Sequence, residues 1–248
     1  MPRGIVGGGV SAAATTPMKR VVEPEWLDEL PADDPGAAGS RRDLRRLNRV
    51  MGHGSILRGL LETAMDGRAP KRIVELGAGD GTLMLSLAKH FAPRWGRVEV
   101  VLVDCKDVVT DATREGFVAL GWPVEVLTAD IFEWLAKPAE TADAMTANLF
   151  LHQFAERQLK ELLRLAATRT KVLAACEPRR GRLPLMFSRM VRLIGCNAVT
   201  RHDAELSVLG GFAGREISAL WPETQQWNLR ERSARMFSHA FLAERKER

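Results

Sequence analysis

At residues 75–81 the chain reads ELGAGDG, an acid followed by glycine at every second position: Glu75, Gly77, Gly79 and Gly81. Glycine accepts positive φ and lets bare backbone N–H groups approach a ligand. The loop follows an apolar run at 71–76 that reads as a buried strand, and in an open parallel sheet ligands bind at the carboxyl ends of strands. The spacing differs from the GxGxxG of a dinucleotide loop. Polar residues recur where further strands should end: Asp104, Asp130, Asn148 and Glu177. A carboxylate there offers two acceptor oxygens, which suits a vicinal diol, although the same residue also makes a helix cap or turn former. His152 lies one short step past the Asn148 strand end, and His202 lies in TRHDAEL, where residues 200–203 read equally well as a helix N-cap.

These residues must be positioned by the elements around them, and the chain alternates strand-like and helix-like runs. Strands are expected at 71–76, 98–104, 124–130, 142–151 and 171–178, with helices at 82–91, 107–120, 131–136 and 155–168 between them. That alternation argues for a mostly parallel sheet wrapped by helices. Two alternating-pattern segments, 227–235 and 236–245, close the chain as an antiparallel pair. At the other end, residues 1–39 read as a flexible extension, with an aperiodic stretch to about 22 and an acidic, proline-punctuated lead-in that Trp26, Leu27 and Leu30 anchor. A helical region is expected over 40–68, capped at Ser40 with Asp43 three positions on and broken near Gly52 to Gly54. The main domain, 40–248, then divides into these helices, a ligand-binding core at 70–178, and a lid with the terminal strands at 179–248.

The ExGxGxG loop, with the acids that follow it, resembles the first motif of the class I S-adenosylmethionine-dependent methyltransferases. The resemblance implies their Rossmann-like α/β fold: a mostly parallel seven-stranded sheet with an antiparallel C-terminal pair, here with an N-terminal helical region in front. It also implies S-adenosylmethionine as cofactor. Gly77, Ala78, Gly79 and Gly81 would then lie against the cofactor, and Glu75 would hold the loop or, through water, the cofactor's amino group. Asp104 would take the ribose hydroxyls, Asp130 the adenine amino group with Ile131 against the ring, and Asn148 and Leu149 the methionine end. The LHQF stretch around His152 is similar to one that carries the general base in plant-type small-molecule O-methyltransferases, with Glu177 as the orienting acid. A base is chemically useful there because a phenol must lose a proton from a group of pKa about 10. A capping or packing histidine is the plainer alternative. RRDLRRLNRVMGHG, NLFLHQF, CEPRR and GCNAVTRHDAELSVLGGF together look like bacterial methyltransferases found with polyketide and phenolic-lipid pathways, which implies an apolar phenol or quinol as acceptor. Carbon methylation of a quinone-type acceptor, an RNA or protein target, and a non-catalytic cofactor-binding protein stand as alternatives.

Other chemistries lack their signatures. Amino methylation of bases uses a D/N-P-P-aromatic turn, whereas this chain reads NLFL from Asn148; Cys176 sits in an apolar strand, which suits a core residue; and Glu177 alone answers the acid set of a catechol-type metal site, so no metal is expected. Three distant cysteines and the lack of a long apolar run point to a reducing, cytoplasmic setting. A net charge of +5 is a modest excess, and Arg41, Arg42, Arg45, Arg46 and Arg49 read as a solvated face, so a nucleic-acid partner is not expected. In the lid, Met186, Phe187, Met190, Val191 and Ile194 suit an apolar substrate, while Arg182, Arg189 and Arg192 are compatible with peripheral contact with an anionic membrane. The N-terminal helix is compatible with a homodimer.

Overall fold

A computed structural model describes residues 18–138 and 140–246. Its centre is a seven-stranded sheet: β1 (Arg72–Leu76), β2 (Glu99–Asp104), β3 (Val124–Thr128), β4 (Ala144–Asn148), β5 (Val172–Pro178), β6 (Trp227–Ala234) and β7 (Ser238–Arg245). The order is β3-β2-β1-β4-β5-β7-β6, the first five strands parallel and β7 antiparallel to both neighbours. The expected Rossmann-like methyltransferase sheet is therefore present, each strand within a few residues of its expected place.

The apolar runs read as strands because both sheet faces are covered. Ile73, Val100, Leu102, Ala144, Ala174 and Leu242 face one way, onto α3 (His53–Met65), α4 (Thr82–Trp95) and α5 (Asp111–Ala119). Val74, Val101, Met145, Leu173, Ala175 and Phe241 face the other way, onto α6 (Ile131–Ala136), α7 (Glu156–Arg169) and α10 (Glu216–Leu220). Cys176 is a buried member of the first layer, and burial raises its thiol pKa, so it is a core residue and not a nucleophile. Going outward from β1, the chain winds to β2 and β3 on one side and to β4 and β5 on the other. That reversal opens a crevice above the carboxyl ends of β1 and β4.

The N-terminal region departs from expectation. Residues 1–17 lie outside the described residues, but within 18–39 the chain already forms α1 (Trp26–Glu29) and enters α2 (Pro35–Met51) five residues before Ser40. Asp34 caps α2 by accepting from the Ala37 N–H at 2.9 Å, with Pro35 at the first helical position, where its missing N–H costs nothing. Ser40 and Asp43 are instead buried on the side of α2 that meets α9 (Ala198–Gly210). Asp43 accepts from the Asn197 N–H at 2.8 Å and the Thr200 hydroxyl at 3.1 Å, and pairs with Arg46. The break expected near Gly52 to Gly54 falls at Gly52, whose φ of 73° ends α2, with the Arg235 guanidinium packed where a side chain would stand.

Burial alone would raise the Asp43 pKa, but the bonds from Asn197, Arg46 and Thr200 outweigh it and hold the carboxyl below its usual 3.8. Its stabilising contribution is thus present above pH about 3.8 and fades as pH falls through the lower folded-state value. Asp43→Ala strands the Asn197 N–H and the Thr200 hydroxyl and should cost about 1–3 kcal/mol in urea unfolding near neutral pH, with a smaller difference in acid.

Candidate active site

A cleft of about 460 Å³ occupies the crevice. Its floor is the loop after β1. Gly77 and Ala78 both donate their N–H groups to the Val103 carbonyl, at 2.9 and 3.1 Å, which lashes the loop to β2. Gly77 has φ 65°, and a Cβ there would stand 2.2 Å from the Phe150 ring, so this glycine is required by close approach as well as by conformation. Gly79, at φ 53°, has nothing within 4 Å of its hypothetical Cβ: it faces open cleft. Gly81 does not line the cleft. It sits below, against Leu102 and Thr113, where φ 69° lets it cap α4.

The other expected residues converge on the same space. Glu75, Ala78, Asp104, Asp130, Ile131, Asn148 and Leu149 all line it. Asp104 is oriented by the N–H groups of Gly79 and Lys106, at 2.8 and 2.9 Å, one to each oxygen, which leaves lone pairs for a ligand. Asp130 caps α6 through a single oxygen that accepts from Phe132 and Glu133, so the helix-cap reading holds and the residue still faces the cleft. Leu149 adopts φ 52°, a left-handed conformation rare for a side-chain-bearing residue, with its N–H on the Cys176 carbonyl at 3.0 Å.

Two buried acceptors, Glu75 Oε2 and Asn148 Oδ1, have no hydrogen-bond partner among the described residues. Burial, with Asp80 and Asp104 nearby, raises the Glu75 pKa well above the carboxylate range. A buried acid beside two other acids, in a cleft with a diol-sized acceptor pair and an open glycine face, calls for a ligand bearing both positive charge and hydroxyls. S-adenosylmethionine meets those requirements, so the residues present fit that cofactor.

At the far end of the cleft, Glu177 organises the segment after β4. Fully buried, it accepts from the Phe150 and Leu151 N–H groups through Oε1, at 3.1 and 3.0 Å, and from the His152 N–H through Oε2 at 3.2 Å. The same Oε2 lies 2.8 Å from His152 Nδ1, and His152 Nε2 lies 3.2 Å from Oε1 of Glu25, which also accepts from Ser207. His152 is thus the middle of a Glu25–His152–Glu177 chain. Burial alone would lower its pKa, but the bonds to the two carboxylates carry it up to about 10, so the ring is an imidazolium at neutral pH. Behind Asn148 the opposite holds: burial pushes the His53 ring down to about 4, and it is neutral. His202 does not line the cleft; it stacks on Trp26 at 3.8 Å and is bonded to Asp203.

The sequence reading missed the roof. Arg20 donates to the carbonyls of His152, Phe154 and Gly210 at 2.7–3.0 Å, Asp203 accepts from the N–H groups of Trp26 and Leu27, and Lys106 holds the Leu27 and Leu30 carbonyls. The lead-in is therefore anchored chiefly by polar bonds and carries Glu25 into the cleft. Arg41, Leu44, Arg45 and Asn48 form one stripe of α2 facing the same space, with Arg45 paired to Asp80, so two of the arginines read as a solvated face form cleft wall. Their i, i+3, i+4, i+7 spacing was the available signal.

The fold is the Rossmann-like methyltransferase fold, and comparison with known proteins agrees. Residues 73–172 match the model of a family described as a methyltransferase domain. Trans-aconitate 2-methyltransferase of Rhodococcus jostii (strain RHA1) is 32% identical over 104 residues, 42% of this chain and 35% of that protein. In fold, the chain is similar to an O-methyltransferase family protein from Burkholderia thailandensis (TM-score 0.56, 18% identity, 81% of this chain and 56% of that one). It is also similar to a mitomycin 7-O-methyltransferase (TM-score 0.55, 24% identity, 89% and 60%) and to a plantazolicin methyltransferase in complex with SAH (TM-score 0.63, 10% identity, 89% and 93%). The chain spans about a third of the curated relative and little more than half of the first two structures. Residues 73–172 thus carry the match to a methyltransferase domain, and the chain as a whole shares the Rossmann-like methyltransferase fold.

The two glycines separate packing from binding. Gly77→Ala should lower both the melting temperature and the affinity for S-adenosylhomocysteine, because Phe150 must move. Gly79→Ala should lower affinity at least tenfold in calorimetric titration with a smaller loss of melting temperature, since only its φ is strained.

Proposed function

We propose that the protein transfers the methyl group of S-adenosylmethionine to a small apolar acceptor, of phenol or quinol type, at oxygen. The observation that carries the reading is His152, held from behind by the buried Glu177, standing in the same cleft as the glycine loop. The cofactor, when bound, supplies an activated sulfonium methyl. Glu75, Gly77, Ala78, Gly79, Asp104, Asp130, Ile131, Asn148 and Leu149 are the residues that would hold it.

The chain's own contribution is to bind the acceptor, exclude water and move one proton. Phe132, Phe150 and Phe154 meet edge to face along the cleft, with centroids 5.0–5.5 Å apart, and offer a wall for a planar ring. Proton removal falls to His152 Nε2, since Nδ1 is committed to Glu177. In the described arrangement Nε2 is paired with Glu25 and the ring is protonated, so His152 serves as a base only once Glu25 has left and the second carboxylate no longer holds the proton. Glu177 then fixes the tautomer and orientation of the ring. Leu149 and the N–H bonds to Glu177 keep that histidine at the cleft wall.

With methyl-labelled S-adenosylmethionine and a fractionated bacterial extract, label should enter the organic-soluble fraction. Label in acid-precipitable material would replace this reading with a macromolecular target. His152→Ala should leave cofactor affinity within about twofold and lower turnover by about 10²-fold or more, the usual range for a lost general base. Unchanged turnover would remove His152 from the mechanism. Glu25→Gln takes away one of the two charges that raise the His152 pKa, so the pKa must fall from about 10. The acid limb of the pH–rate profile should move to lower pH, and ring-proton chemical shifts of His152 titrated by NMR check the same shift without a substrate.

A further inference from the structure

The lid does not close over the cleft. Within α8 (Arg182–Arg189) the buried positions are Pro184 and Ser188, one turn apart, turned toward α9. The apolar stripe points the other way: Leu183, Met186, Phe187 and Met190, at i, i+3, i+4 and i+7, are 38–50% exposed, and Leu193 and Ile194 in the 3₁₀ turn that follows are 68% and 59% exposed. These six are most of the large apolar side chains left exposed among the described residues. The inverted pattern is the opposite of what an ordinary surface helix shows. None of these residues lines the cofactor cleft.

The charges on this segment have one sign. Residues 182–194 contain three arginines and no acid. Arg182, Arg189 and Arg192 share a shallow groove with Met186, Met190 and Leu193, and no acidic side chain lines it. Arg189 is paired with Glu205, while Arg182 and Arg192 have no carboxylate partner among the described residues. We propose that residues 182–194 form an interfacial segment that seats the protein on an anionic lipid surface, with the apolar stripe in the acyl boundary and the arginines at the headgroups.

Charge and size favour lipid over a second copy of the chain. A strip of thirteen residues is about 20 Å long and about 10 Å wide at helical dimensions, roughly 200 Å², well short of the roughly 800 Å² per partner of a standard interface. An isologous contact would also set three arginines against three arginines. A lipid surface demands no shape-complementary partner, and each basic residue near an anionic leaflet strengthens binding about fivefold. The contact would be peripheral, since no described helix is long and apolar enough to cross a membrane.

The full-length protein should sediment with vesicles of phosphatidylcholine mixed with phosphatidylglycerol and stay in solution with phosphatidylcholine alone, with binding that weakens as salt is raised. The double substitution Leu193→Glu and Ile194→Glu should reduce sedimentation at least tenfold. Arg182→Ala with Arg192→Ala should do so by about tenfold or more, with an unchanged far-ultraviolet circular dichroism spectrum, because both pairs of residues are on the surface. No sedimentation with the anionic vesicles, equal sedimentation with both lipids, or binding indifferent to both double substitutions would overturn the proposal. So would light scattering that finds a dimer which the Leu193→Glu and Ile194→Glu protein no longer forms.

Discussion

The cleft depends on one buried carboxylate. Glu177 sits at the end of β5 without access to water and collects the N–H groups of three successive residues, 150–152, together with the ring of His152. An isolated charge in that position would be untenable, and this one is satisfied because the chain leaving β4 turns back over it. The turn has visible costs: Leu149 is forced to positive φ, and Phe150 is laid across Gly77, which must then lack a side chain. The glycine loop, the strand ends and the histidine are therefore parts of one constraint.

A second layer is built from residues far apart in sequence. Asp43 of α2 and Asn197 and Thr200 of α9 form a buried polar knot, and Asp203 of α9 collects the first N–H groups of α1. With Arg20 gripping the carbonyls around His152, this knot places residues 20–30 above the cleft. The two glutamates around His152 thus come from opposite ends of the construction: Glu177 from the sheet, Glu25 from the roof. His53 shows by contrast how much of the His152 charge comes from direct hydrogen bonds to those carboxylates, since burial without such a bond leaves a neutral ring even though the Glu177 charge raises its pKa somewhat.

The sheet was legible because a strand buried on both faces has to be apolar through its middle, as residues 100–103 and 172–176 are. Gly77 was legible for a related reason, since glycine at alternate positions after such a strand has few other uses. The roof was hidden because its bonds span up to 190 residues, as between Arg20 and Gly210, and no local pattern reports them. Asp43 was misread through its type: three residues after a serine it imitates a capping box, yet Asp34 and Pro35 had already started the helix. Gly81 matched the loop motif but serves helix α4, because the motif does not separate a glycine that faces a ligand from one that lets the chain turn beneath it.

On the proposed function, the Glu25–His152 contact would make the roof a tethered competitor. An acceptor hydroxyl would compete with the Glu25 carboxylate for the same imidazole nitrogen, and a short tether would hold that carboxylate at high local concentration. The acceptor's apparent affinity would then be its intrinsic affinity scaled by the fraction of molecules in which Glu25 has left His152. Discrimination among acceptors follows from that arithmetic. A ligand would have to repay the loss of a charged pair before it binds, which favours a well-fitted ring.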